Sequence, residues 1–336
     1  MRRSRALVVA GACALASVVT AARADLSNDV LARVRARAIV RCAGIVRPGI
    51  AVPTADGKRW YGIAPDVCRA VAAAVLGDPE RMTFRPYPNA LGAARTLDGD
   101  DDLIFVSGDE LVSQRADARP TLDLGPAIVH DAVGVLVHAS GARNLAALAT
   151  QSICVEPGSP ADRVLVRSFA ARGLALHEHP FQESDEMRQA YETGNCDALV
   201  GSLSTLASVR ADPTEGHASD RILPETLADD PIFAATPNDA RWSRIVWWTF
   251  AALVDAEDAG IVRGALAANA SIPGVPPAVG TSLGLSADWA SEALGAAGNY
   301  GELFDRNLGA GSRFAMPRGA NALSNRGGLI FGLRVE

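Results

Sequence analysis

The sequence predicts an α/β protein. Three observations carry that reading. Strand-like and helix-like segments alternate along the chain. Its 336 residues, 49% of them apolar, can bury a substantial core. Beyond the N-terminus no uncharged apolar run reaches the roughly 18 residues of a membrane span. Length alone sets a soft expectation of about two domains. With 21% charged residues the chain is too apolar for disorder, and a formal charge of −6 argues against a nucleic-acid partner.

Taken in order, the first element is an address. Arg2, Arg3 and Arg5 precede an uncharged apolar stretch from Ala6 to Ala22, and Ala22-Arg23-Ala24 supplies the small-x-small pattern of signal cleavage. Residues 1–24 are therefore expected to be a signal peptide, with the mature start near Asp25. Export follows, with no membrane insertion after cleavage. Losing this segment removes four arginines and no acid, so the remainder is more acidic still.

Ala38 to Arg41 is an apolar segment ending at Cys42. Pro65 to Leu76 reads as a helix: Pro65 suits the first turn, Asp66 suits the N-terminal dipole and Gly77 suits the stop. Val67, Val71 and Ala74 or Val75 then line one face. Asp100-Asp101-Asp102 reads as a solvated acidic turn, since no calcium-loop spacing follows. Leu103 to Val106 and Ala132 to Val137 are buried strands. Ser152 to Val155 is another, and Ser159 caps a helix running to about Ala171, with Asp162 answering in a capping box. Asp185 to Thr193 forms a helix ended by Gly194, and Asp197 to Val200 is strand-like. Ile245 to Val254, with Trp247, Trp248 and Phe250, is an apolar core helix too short to span a bilayer. Ile272 to Pro277 is a Pro-rich loop, and the tail from Gly298 is Gly- and Asn-rich with apolar anchors.

Four cysteines remain after cleavage: Cys42, Cys68, Cys154 and Cys196. They allow three connectivities. Each pair of sequence neighbours joins similar elements, so Cys42–Cys68 and Cys154–Cys196 are the expected bridges, each of about 3–4 kcal/mol in the chain-entropy picture. These spacings are not zinc pairs.

Catalytic signatures are sparse. His177-Glu178-His179 would place two imidazoles on one strand face, but no third ligand is evident and an exposed polar edge explains the run. There is no Gly-x-Ser-x-Gly elbow, phosphate loop or dinucleotide fingerprint. No catalytic residue, cofactor or metal is expected. An exported α/β chain of this kind suggests a binding protein.

Several segments carry a resemblance. Asp66-Val67-Cys68-Arg69-Ala70-Val71 through Gly77-Asp78 resembles the first helix of periplasmic solute-binding proteins for polar and general L-amino acids, extracellular family 3. Ser184 to Tyr191 and Gly194-Asn195-Cys196-Asp197 are similar too. The tail Gly298-Asn299-Tyr300-Gly301-Glu302-Leu303-Phe304-Asp305 to Gly309 matches that subgroup's C-terminus, as do Pro317-Arg318-Gly319-Ala320-Asn321-Ala322-Leu323 and Gly327-Gly328-Leu329. The likeness runs from about residue 30 to 333.

The resemblance implies a two-lobed fold in which the chain crosses twice between lobes, with lobe 1 at 25–129 plus 227–336 and lobe 2 at 130–226. A small polar solute, an amino acid or related carboxylate, is expected in the interlobe cleft. The cleft closes by hinge motion and the protein, expected as a monomer, is read by an ABC permease in the inner membrane. Arg115 matches the arginine that holds the α-carboxylate, a planar fork suited to two parallel bonds. Gly158 and Ser159 match a helix N-terminus that favours an anion, although Pro160 stands where a hydroxyl residue is usual. Other positions depart. Ser107-Gly108-Asp109-Glu110 replaces an arginine and Asn-Thr-Thr, so Glu110 falls where a hydroxyl would donate, or else closes a Ser-x-x-Glu capping box with Ser107. Ser202 replaces the acid that grips the α-ammonium, and Ile50 replaces the covering aromatic. Two alternatives share the fold: a non-transport descendant (a sensor or an accessory partner of a periplasmic dehydrogenase), and a periplasmic dehydratase with Glu110 or Asp109 as acid.

Overall fold

The computed structural model describes residues 29–87, 101–108, 122–212, 216–266 and 271–333. The expected signal peptide lies outside them. The chain opens with α1 (Val30–Arg37), then β1 (Val40–Gly44), a short hairpin of β2 (Val52–Pro53) and β3 (Trp60–Tyr61), and α2 (Ile63–Leu76). β4 (Met82–Pro86), β5 (Leu103–Ser107) and β6 (Leu122–His130) follow. Next come β7 (Val133–Val137), β8 (Ser152–Val155), α3 (Pro160–Ala171), β9 (His177–Pro180), α4 (Ser184–Glu192), β10 (Ala198–Ser202), α5 (Leu203–Arg210) and β11 (Arg221–Ile222). β12 (Pro231–Pro237) and α6 (Ala240–Asp258) precede three shorter helices, α7 (Ala278–Leu283), α8 (Trp289–Ala297) and α9 (Tyr300–Asn307).

Two five-stranded sheets result. The first has the order β4-β1-β5-β12-β6, with β1 parallel to β4 and β5, and β12 antiparallel to both its neighbours. The second has the order β11-β7-β10-β8-β9, with β8 parallel to β9 and β10, and β7 antiparallel to β10 and β11. The chain leaves the first sheet through Asp131 and Ala132, and returns between Ile222 and Pro231.

Local chemistry explains the elements. α2 ends at Gly77 in the left-handed region (φ 71°), as its sequence predicts. It is buried on almost every side rather than on one face, because α8 packs on it as well as the sheet. Gly62 at its start has φ 128°, and a Cβ there would lie 2.2 Å from the Ile50 carbonyl oxygen. α6 is longer than its apolar run suggests, because Asp239 accepts from the N–H groups of Arg241 and Trp242 and starts the helix early. Ser159 caps α3 as expected, accepting from Asp162 N–H at 3.1 Å. The Asp162 carboxylate, however, takes the N–H of Gly158 rather than that of Ser159, at 2.7 Å.

The acidic turn is a correction. Asp101 and Asp102 are buried, at 4% and 1% exposure. Asp101 takes two bonds from the Arg85 guanidinium, at 3.0 and 2.7 Å. Asp102 pairs with Arg37 and accepts from Arg41 N–H. Its carbonyl receives the indole N–H of the fully buried Trp242 at 2.7 Å. Arginines from two other elements made burial of these carboxylates possible, which local sequence does not show.

Both expected disulfides are present. Cys42 on β1 joins Cys68 on α2, with Cα atoms 6.4 Å apart. Cys154 on β8 joins Cys196 just before β10, at 5.7 Å. Among the described residues no helix is long and apolar enough to cross a membrane.

Candidate functional site

Strand polarity fixes where a site can form. Ile232 pairs with Ser107 and Pro231 with His130, so the ends of β5 and β6 and the start of β12 share one edge of the first sheet. β1 runs parallel to β5, and Gly44 ends it at that edge. In the second sheet Ser202, at the end of β10, pairs with Val133, where β7 begins. β8 runs parallel to β10, so α3 and α5 both start from that same edge. Both crossovers thus connect the carboxyl ends of the parallel strands of the two sheets. Open α/β sheets bind ligands at that edge, where loops and helix N-termini converge.

The centre of this region is Asp131, 1% exposed. Its carboxylate accepts from Ser204 N–H at 2.8 Å and Ser204 Oγ at 2.7 Å, at the first turn of α5. Arg47, from the loop after β1, brings one guanidinium nitrogen 3.5 Å from Asp131 and 3.2 Å from Asp230. The Asp131 N–H donates to the Asp230 carbonyl at 3.1 Å. One cation therefore serves two acids, one on each crossover, and the helix dipole adds to its stabilisation of Asp131. The loop carrying Arg47 is tight: Ile50 N–H and Ala51 N–H both donate to the Arg47 carbonyl. Gly49 closes it at φ 70°, against Leu308.

The sequence-expected residues distribute as follows. Ser107 ends β5 and is buried, and Gly108 beside it faces Asp230 and Pro231. Ser202 ends β10, its Oγ 2.9 Å from Thr205 Oγ1 and 3.3 Å from Ser204 Oγ. These two lie around the Arg47–Asp131–Asp230 group. Ile50 belongs to the Arg47 loop, but its side chain is packed in the first sheet's core at 1% exposure. Gly158 and Ser159 start α3 at the same sheet edge as Ser202. Gly158 adopts φ 76°, and its carbonyl accepts from Arg163 at 2.6 Å. Arg115 and Glu110 lie outside the described residues.

An acid already sits at the N-terminus of α3. The Asp162 carboxylate on Gly158 N–H lies beside Glu178 of β9, whose carboxyl is pushed above its ordinary range by burial first and then by the Asp162 hydrogen bond and charge. His177 and His179 share one face of that strand, all four residues of which are exposed, and His179 contacts the Asn195 carbonyl and the Phe181 ring.

No protein-family model matches the chain. Among characterised relatives, it is 31% identical over 339 residues to the general L-amino acid-binding periplasmic protein AapJ of Rhizobium johnstonii, covering 96% of each chain. It is 33% identical over 336 residues to the glutamate/glutamine/aspartate/asparagine-binding protein BztA of Rhodobacter capsulatus, again covering 96% of each. The chain belongs to the periplasmic solute-binding proteins of amino-acid ABC transporters. A solved member of this class agrees at the level of fold. The periplasmic binding protein from Brucella ovis with glutathione bound superposes with a TM-score of 0.75 at 30% identity, covering 92% of this chain and 99% of that one. These relatives are binding proteins rather than enzymes. The two sheets of the present solute-binding protein match that two-lobed fold.

Arg47, Asp131, Ser204 and Asp230 were not singled out by sequence. Arg47 is one arginine among 31, and its two acidic partners are 84 and 183 residues away. A usable signal was the Asp131-Ala132 pair directly before a buried strand, where a lone acid has to find a partner.

Proposed function

We propose that this protein is the receptor of an ABC importer that captures an amino acid or a related small polar carboxylate between lobe 1 (25–129 plus 227–336) and lobe 2 (130–226), and presents it to an inner-membrane permease. The observation that carries the reading is the pair of sheet edges meeting at a double crossover, with two helix N-termini on one side and Arg47 on the other. Full-length likeness to amino-acid-binding relatives supports it. Arg115 is the carboxylate ligand in this reading, and from the second lobe Ser159 donates its hydroxyl, since Asp162 already holds the Gly158 N–H and the Ser159 N–H binds the Glu156 carbonyl. Ser202, neutral where the family resemblance implies an acid, weakens the hold on an α-ammonium group. A signal peptide cut after Ala24 delivers the chain to the periplasm as a monomer.

A thermal-shift screen against L-amino acids, their decarboxylated amines, small organic acids and glutathione tests this. A ligand of the native cleft raises the midpoint with ligand excess over Kd. The expected result is a rise with carboxylate-bearing solutes that Arg115→Ala abolishes while the unliganded midpoint stays in place. No rise with any of these compounds overturns the reading, and an undiminished rise in Arg115→Ala removes Arg115 from the site.

A further inference from the structure

We propose that His138, His217 and Asp220 form a binding site for a divalent transition-metal ion of the zinc class, separate from the solute site. The three side chains offer ligand atoms that all lie within 4.8 Å of one another. Asp220 Oδ2 is 2.8 Å from His217 Nδ1 and 3.4 Å from His138 Nδ1. Ligand atoms bonded tetrahedrally at about 2.0–2.1 Å from zinc stand about 3.3 Å apart. The two observed separations bracket that value.

The surroundings are built to hold these groups. Asp220 Oδ1 accepts from Ala139 N–H at 3.0 Å, leaving Oδ2 for the cluster. Tyr191 Oη donates to that Oδ2 at 2.7 Å, and its ring lies flat on the His138 imidazole, 4.3 Å between centroids and 3° between planes. A hydrogen-bonded carboxylate and a stacked imidazole are the outer contacts that orient metal ligands. Arg221 fixes the loop after His138 by binding the carbonyls of Ala139, Gly141 and Ala142. His217 and Asp220 share one tight turn, closed by Asp220 N–H on the His217 carbonyl.

Hydrogen bonding within the protein leaves both imidazoles half-satisfied. Each directs Nδ1 at the same Asp220 oxygen, and each has a buried Nε2 with no partner. The two Nδ1 atoms converge on one carboxylate oxygen and are the nitrogens an ion would take, with Nε2 of each ring outside its coordination shell. His217 is 9% exposed at its side chain and Asp220 6%, whereas His138 is 29% exposed and gives an ion a way in. Two imidazoles and one carboxylate select zinc or its neighbours over calcium and magnesium, which prefer all-oxygen sites. Three protein ligands leave a fourth position open.

Position separates this site from the solute edge. Val133 pairs with Ser202 at the crossover, and Val137 pairs with Ala198 and Arg221 at the far end of β7. His138 therefore stands about 16 Å along the strand from Val133, at roughly 3.3 Å per residue.

The test is calorimetric titration of chelator-stripped protein with Zn2+, with metal content measured after desalting. One equivalent is expected, retained in a His177→Gln/His179→Gln variant. Binding should weaken at least tenfold in His138→Gln, His217→Gln and Asp220→Asn, and about tenfold in Tyr191→Phe, the usual size of an outer-contact effect. A readout independent of folding in the variants is the visible spectrum of the wild-type protein with Co2+, which should show the intense bands of four-coordinate nitrogen–oxygen ligation. Absence of Zn2+ binding, absence of those bands, or binding lost in His177→Gln/His179→Gln and kept in His217→Gln each overturns the proposal.

Discussion

The side-chain amide of Asn321 bonds both backbone groups of His130, accepting from its N–H at 2.7 Å and donating to its carbonyl at 2.9 Å. A residue of the C-terminal tail thereby holds the strand end from which the chain leaves the first sheet. Asn321 is 4% exposed and is braced by Tyr300 Oη and by Arg318, which bonds the Asn321 carbonyl and Glu257 while lying over the rings of Tyr300 and Phe304. The tail that the sequence marks as family-like thus secures the crossover.

Asn321→Ala should destabilise the protein by about 2–4 kcal/mol, because it leaves a buried N–H and a buried C=O of His130 without partners. Urea unfolding checks the magnitude. Hydrogen exchange should speed at His130 specifically, and an unchanged His130 amide would contradict the clamp.

Arg47→Met should cost about 2–3 kcal/mol, somewhat under the usual figure for breaking a buried pair, since the arginine side chain is 18% exposed. A double-mutant cycle with Asp131→Asn should give a coupling of at least about 1 kcal/mol. Additive effects would mean that the two charges do not support one another.

Replacing both cysteines of a bridge by alanine should cost about 3.5 kcal/mol for Cys42–Cys68 and about 4 kcal/mol for Cys154–Cys196. The order follows from the separations, 26 and 42 residues. Urea melts of the two double variants against the oxidised parent measure it.

Glu178 gives a pH prediction. Its carboxyl binds a proton more tightly in the folded chain than its ordinary value of 4.5, owing first to partial desolvation of this otherwise exposed side chain and then to the Asp162 hydrogen bond and charge. Protonation therefore favours the fold. Stability from this group is fully present below the ordinary value and is lost as pH rises through the raised one. Glu178→Gln should melt above the parent at pH 7, with the gap closing as pH falls below 4.5. Parallel melting curves across that range would refute the pairing with Asp162.

Legibility in the sequence followed distance along the chain. Gly77, Ser159 and Gly194 mark helix ends by local rules, and the structure places a left-handed glycine or a cap at each. Both cysteine pairs were readable because each joins two cysteines that follow one another in the sequence and lie on similar elements. The Asp101–Arg85 and Asp102–Arg37 pairs were not, since burial of an acid depends on a cation brought by tertiary packing. The same holds for the Arg47 group. His138 and Asp220 meet because β7 and β11 pair, and a two-residue strand such as β11 leaves no periodicity to find. His177 and His179, two residues apart and conspicuous in the sequence, lie on a strand that stays exposed.

The placement of the two disulfides has a mechanical consequence. Cys42–Cys68 fastens a strand of the first sheet to the helix beside it, and Cys154–Cys196 fastens two neighbouring strand segments of the second. Covalent stiffening is spent inside each half, and among the described residues what joins one half to the other is ordinary backbone with reversible contacts such as Arg47 on Asp131. Oxidation of both pairs would harden both jaws without locking the joint between them.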